Sequence, residues 1–170
     1  MAPAGALVLP RSLEVGAAAP VVEAAALGQG TRTVGAPRDD GRSTLLFFLS
    51  PTCPVCKTLL PALKSVARAE ARWLDVVLAS DGAAAEHEPF VRRERLGDFA
   101  YQLSAPLAVA YRAGKLPYAV LVDGGGTVRA AGLVNSREHL ESLFEAKERG
   151  IGTVQEYLAG LAGPAEGAGR

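Results

Sequence analysis

Apolar positions along this chain change period several times, and each change marks an element. Thr44-Leu45-Leu46-Phe47-Phe48-Leu49 has no polar face, the pattern of a central strand covered by helices on both sides. From Val55 to Trp73 the spacing turns helical, so that Val55, Leu59, Leu63 and Val66-Ala67 can share one side. Pro54 suits the first turn, where its missing N–H would be unpaired, whereas Pro61 lies inside the pattern and predicts a kink rather than a stop. Residues 74–79 form a second core strand that ends at Ser80-Asp81-Gly82, and residues 118–122 a third. Helices are expected over 85–96 and 105–113. Asp123-Gly124-Gly125-Gly126 supplies a hairpin turn from which residues 127–131 return antiparallel.

Weaker signals fill the ends. Val21-Val22 is expected as a short edge strand, followed by Thr33-Val34 and a turn through Pro37, Asp39, Asp40 and Gly41. Asn135 with Glu138 resembles a capping box ahead of a helix whose apolar face is Leu140, Leu143 and Phe144. Thr153 and Glu156 repeat that signature before a short helix near Tyr157-Leu158. Strand, crossover helix, strand, crossover, hairpin and helix make a three-layer α/β/α sandwich around a central mixed sheet. Residues 1–12 read as a flexible arm, 13–150 as the domain, and 151–170 as the short helix and a disordered tail.

A length of 170 residues suits one well-cored domain. Formal charge is zero, from 18 basic and 18 acidic residues, and no basic stripe or aromatic platform suggests nucleic acid. The apolar runs are too short to span a membrane, and residues 1–10 lack the basic start and apolar core of a signal peptide.

The chemistry concentrates at the chain's two cysteines, Cys53-Pro54-Val55-Cys56, directly after the first core strand. A Cys-x-x-Cys turn that opens a helix places one sulfur where backbone N–H groups and the helix dipole stabilise a thiolate. The pair is either the working part or a structural staple, and this context favours work. Cys53 at the helix start would attack a partner disulfide, and Cys56, one turn inside, would resolve the mixed disulfide. Pro54 stiffens the turn. Val55 brings neither charge nor proton, leaving thiolate stabilisation to the helix terminus with Lys57 as a helper. Glu70 and Asp75 are candidate proton carriers for Cys56.

A second element is Gly114-Lys115-Leu116-Pro117-Tyr118, at the mouth of the third core strand. Pro117 is a boundary marker if its peptide bond is trans. If it is cis, the Leu116 backbone turns outward beside the cysteines, free to pair with an extended substrate. In that case Thr52, Pro54, Val55, Leu116 and Tyr118 are the expected substrate-binding residues, and Pro117 joins Cys53 and Cys56 as a catalytic residue. Zinc would need more ligands than this chain offers nearby: His87 and His139 are far off and expected at the surface. Gly124-Gly125-Gly126 leads into a strand and so is no phosphate cradle. No metal or cofactor is expected beyond the Cys53–Cys56 disulfide itself.

Cys53, Cys56, Pro61 and Pro117 match the nucleophile, resolving cysteine, helix kink and cis-proline of the thioredoxin superfamily, which the order of elements resembles. Gly16, Ala19 and Pro20 resemble the entry motif of its peroxiredoxin-like and periplasmic reductase branch. Three segments, 47–57, 74–82 and 132–140, more narrowly resemble the MauD family of methylamine utilisation proteins. The likeness runs from about residue 13 to residue 158. It implies a thioredoxin-like fold and a periplasmic thiol–disulfide oxidoreductase of the isomerase or reductase type. The implied partners are the methylamine dehydrogenase small subunit, whose many disulfides need forming or reshuffling, and a membrane redox protein that feeds or drains electrons. It also implies a native N-terminal membrane helix that this chain does not carry.

Departures from thioredoxin qualify the chemistry. Thr52 stands where a tryptophan is common, Phe47 where thioredoxin buries an aspartate, and no DsbA-like histidine separates the cysteines. The direction of electron flow stays open. Two rivals remain: a peroxiredoxin-like peroxidase, for which no arginine lies near the motif, and a non-enzymatic chaperone or scaffold for the same subunit.

Overall fold

The computed structural model describes residues 13–149, and both the N-terminal arm and the C-terminal helix and tail expected from sequence lie outside them. Seven strands and four helices follow in the order β1 (Val22–Ala25), β2 (Thr31–Val34), β3 (Ser43–Phe48), α1 (Pro54–Ala69), β4 (Leu74–Ser80), α2 (Ala84–Glu94), β5 (Ala100–Leu103), α3 (Ala105–Ala110), β6 (Tyr118–Val122), β7 (Val128–Leu133) and α4 (Arg137–Arg149). Five strands form one mixed sheet in the order β5-β4-β3-β6-β7, with β3, β4 and β5 parallel and β6 and β7 antiparallel to their neighbours. β1 and β2 form a separate hairpin.

The unbroken apolar run of β3 follows from its place in the middle. Successive side chains alternate faces, so Leu45, Phe47 and Leu49 join one core and Leu46 and Phe48 another. The first core takes Leu59 and Leu63 from α1, Phe90 from α2 and Leu140 and Leu143 from α4. The second is covered by Leu107 of α3, Tyr111 beyond it, and Ala24 and Val34 of the β1–β2 hairpin.

Three local expectations need correction. β5 has no counterpart among the elements expected from the sequence; it is a four-residue edge strand. Its outer side is covered by backbone from the hairpin region, where Leu27 N–H donates to the Tyr101 carbonyl at 2.9 Å and Gln102 Nε2 donates to the Ala24 carbonyl at 2.9 Å. The 105–113 helix stops at Ala110, where Tyr111 caps it. Ser136, rather than Asn135, caps α4: its hydroxyl accepts the His139 N–H at 3.2 Å, while the Asn135 N–H donates to His139 Nδ1 at 3.3 Å. Accordingly, Ser136→Ala should lower unfolding free energy by about 1 kcal/mol and Asn135→Ala by a few tenths at most, read from urea midpoints.

Candidate active site

Helix α1 begins where the sequence places it. Cys53 occupies the N-cap with extended dihedrals, Pro54 fills the first helical position, and the Cys53 Sγ accepts the Cys56 N–H at 3.1 Å. One orphan donor of the helix start is thereby aimed at the sulfur that would carry negative charge on reduction. The helix continues through Pro61, which is exposed and has no N–H to offer the Lys57 carbonyl.

Cys53 and Cys56 form a disulfide with a Cα–Cα distance of 5.3 Å. The two sulfurs are not equivalent in access: Cys53 is half-buried, whereas Cys56 is wholly buried against Leu59 and Leu63 in the core. An incoming thiolate or disulfide therefore meets Cys53 first. Thr52 and Val55 are exposed beside it, as is Pro54. A hydroxyl turn precedes the motif, in which Ser50 Oγ accepts the Thr52 N–H at 3.2 Å and lies 3.0 Å from Thr52 Oγ1.

The antiparallel register supplies the rest of the site. Phe48 pairs with Tyr118, so the segment before Tyr118 runs beside the Leu49–Cys53 turn. The Leu116–Pro117 peptide bond is cis. Pro117 is buried and its carbonyl accepts the Val134 N–H at 3.0 Å, while Leu116 stays 39% exposed and therefore able to meet a partner. Tyr118 is half-buried with its ring 6.3 Å from that of Phe48, and burial pushes its hydroxyl pKa up, so it remains a neutral donor. On the other flank, the Leu49 N–H donates to the Ala79 carbonyl at 3.0 Å, which brings the β4 end at Ser80-Asp81 alongside Ser50.

Several expected helpers lie elsewhere. Glu70 follows the last residue of α1, a helix of 16 residues, and accepts the Trp73 Nε1–H at 2.6 Å. Asp75 is bound by Arg32 at 2.6 Å and Arg38 at 2.8 Å near the start of β4. Both are at the sheet end opposite Cys56, so neither serves it. Phe47 is fully buried and offers no carboxylate for a proton relay at its position. Lys57 and Lys115 are exposed.

His87 is the clearest departure. It is 1% exposed, not a surface residue, with Nε2 2.8 Å from the Asp81 carbonyl and Nδ1 2.7 Å from the Tyr101 hydroxyl. A carbonyl only accepts, so Nε2–H donates to the Asp81 carbonyl, and the Tyr101 O–H is placed to donate to Nδ1. Burial drives the Tyr101 pKa upward, consistent with that donor role. The ring thus pins the β4–α2 loop next to the disulfide. Replacing it by phenylalanine should cost about 2–4 kcal/mol, because a buried hydroxyl and a carbonyl both lose their partner; chemical denaturation checks this. No local pattern in the sequence announces this contact. His139 is half-buried at the start of α4, and no group of three or more potential ligands gathers for a metal among the described residues.

The chain matches no described protein-family model. It is 44% identical over 157 residues to the methylamine utilization protein MauD of Paracoccus denitrificans, covering 92% of this chain and 78% of that one. The chain belongs to the MauD family. The MauD of Methylorubrum extorquens is likewise 44% identical over 156 residues, covering 92% of this chain and 75% of its own. Among solved structures, a putative thiol:disulfide interchange protein DsbE from Chlorobium tepidum superposes with a TM-score of 0.69 at 19% identity, over 83% of this chain and all of that one. A secreted Mycobacterium tuberculosis disulfide oxidoreductase gives 0.59 at 23% identity, over 74% and 95%. These two establish the fold of this MauD-family chain as thioredoxin-like. No helix among its described residues is long and apolar enough to cross a membrane.

Proposed function

We propose that this MauD-family protein is a thiol–disulfide oxidoreductase of the isomerase or reductase type that matures the small subunit of methylamine dehydrogenase. The observation that carries the reading is the asymmetric pair: a half-buried Cys53 whose sulfur accepts a helix-start N–H, joined to a wholly buried Cys56. A static staple needs no such asymmetry. Reduced, Cys53 thiolate attacks a substrate disulfide, forming a mixed disulfide and expelling one substrate thiolate. Cys56 thiolate then attacks the Cys53 sulfur, expelling the second, so two electrons pass from the dithiol to the substrate. If the expelled substrate thiolate attacks elsewhere in its own chain and a later one releases Cys53, the net result is reshuffling.

Residues Thr52, Pro54, Val55, Leu116 and Tyr118 form the substrate rim, and Pro117 shapes it. The unit is the domain of residues 13–150. Resemblance to MauD supports action in the periplasm, with the native protein tethered at the inner membrane by an N-terminal helix and supplied with electrons by a membrane redox partner. The disulfide is the only redox group the reading requires.

Equilibration of the pair in glutathione buffers, with trapped thiols resolved by mass, tests the direction. The expected potential is near that of thioredoxin, about −270 mV; a value near about −120 mV would make the protein a dithiol oxidant instead.

A further inference from the structure

A second pole of the molecule carries features that disulfide chemistry does not use. At the sheet end opposite Cys53, a cavity of about 300 Å³ lies between the second half of α1, the start of β4 and the segment joining α2 to β5. Arg42, Lys64, Arg68 and Arg95 contribute to its wall, against Asp75 and Asp98. Asp75 is already engaged by Arg32 and Arg38. Its wall thus carries four cationic groups against two carboxylates, in a chain whose formal charge is zero.

Two local costs coincide there. Arg42 donates an Nη to the Leu74 carbonyl at 2.8 Å, yet its buried Nε has no acceptor among the described residues. Such orphans are uncommon in folded proteins and cost about 1–3 kcal/mol. Arg95 caps α2 in the left-handed region, at φ 57°, a place where glycine is less strained. Cations near helix C-termini offset the macrodipole, which accounts for Arg68 in the last turn of α1. It also accounts for Lys64, which donates to the carbonyl of Glu94, the last residue of α2, at 2.6 Å, but not for Arg42, which precedes a strand. Unfavourable local choices that gather at one cavity point to a ligand.

We propose that this cavity binds a phosphate-bearing anion, held by the Arg68 and Arg95 guanidinium forks beside Arg42 and Lys64. Planar guanidinium groups pair with phosphate oxygens by two parallel hydrogen bonds. The volume exceeds that of one phosphate, and Phe99, Leu74 and Val76 offer an apolar wall for an attached body. The shared chemistry fits a free phosphate ester or the headgroup of an anionic lipid.

The test uses the full oxidised chain at constant ionic strength. Inorganic pyrophosphate should raise the unfolding temperature saturably, and Arg68→Glu and Arg95→Gly should each weaken its apparent affinity about tenfold or more. Arg95→Gly should at the same time raise the ligand-free unfolding temperature, since glycine relieves the positive φ, so loss of binding cannot be blamed on misfolding. Co-sedimentation with phosphatidylglycerol vesicles, against phosphatidylcholine controls, separates the sources. Vesicle binding that both substitutions abolish assigns a lipid headgroup; a pyrophosphate effect without vesicle binding assigns a soluble ester. Absence of both effects, or effects that survive both substitutions, overturns the proposal and leaves the cations as helix-end partners only.

Discussion

Cys53→Ser should reduce disulfide exchange with a model protein substrate by at least about a thousandfold while leaving the fold intact, because the other thiol, Cys56, is wholly buried and cannot meet a partner. Cys56→Ser should behave differently. Its Cys53 is still the more accessible cysteine, at the helix N-cap, so it attacks, but the resolving sulfur is gone and mixed disulfides accumulate. Non-reducing gels and mass spectrometry of the Cys56→Ser protein incubated with methylamine dehydrogenase small subunit should therefore show a covalent adduct, absent in Cys53→Ser. In a methylamine-grown host, Cys53→Ser should fail to support dehydrogenase maturation. Full maturation by that variant would favour the scaffold alternative, and steady-state peroxide consumption by the unaltered protein would favour the peroxidase.

The residues that carry this chemistry were legible because they sit where local rules are strict. A Cys-x-x-Cys with proline at the first helical position defines a helix start from sequence alone, and β3 and β4 are readable because burial on both faces leaves unbroken apolar runs, residues 45–48 and 76–79, with polar residues only toward the strand ends. Pro117 was legible only as a proline at a strand mouth; its place beside the cysteines follows from the antiparallel Phe48–Tyr118 register, a long-range property. β5 was illegible for a related reason. Its Tyr101 and Gln102 are polar residues that become buried because β4 pairs on one side and the hairpin region covers the other. His87 defaulted to the surface since its partners come from six residues before and fourteen residues after, on separate elements. The choice between Asn135 and Ser136 turns on chain path, as both residue types cap helices well.

Gly35→Ala should be the most damaging change remote from the disulfide, lowering stability by about 3–5 kcal/mol, a large part of a typical total of about 5–15 kcal/mol. Gly35 follows β2 with φ 97°, a conformation alanine rarely adopts, and an added Cβ would collide with the Pro20 carbonyl and the Tyr111 hydroxyl. Those two groups are hydrogen-bonded to each other at 2.6 Å, and the Tyr111 ring is fully buried in the second core. The methyl would thus wedge into the bond that ties the entry segment, the hairpin and the end of α3 together. Tyr111→Phe removes the hydroxyl alone and should cost about 1–3 kcal/mol by stripping the Pro20 carbonyl of its donor. In the double mutant the hydroxyl clash is gone but the carbonyl clash and the positive φ remain. The two losses should therefore sum to more than the double mutant shows, and equilibrium urea unfolding of the four proteins measures the difference. Exchange activity at low temperature should survive in Gly35→Ala, because Cys53 and Cys56 pack in the first core, on the other face of the sheet. An activity loss matching that of Cys53→Ser, under conditions where the protein is still folded, would instead mean that the two faces are coupled through β3.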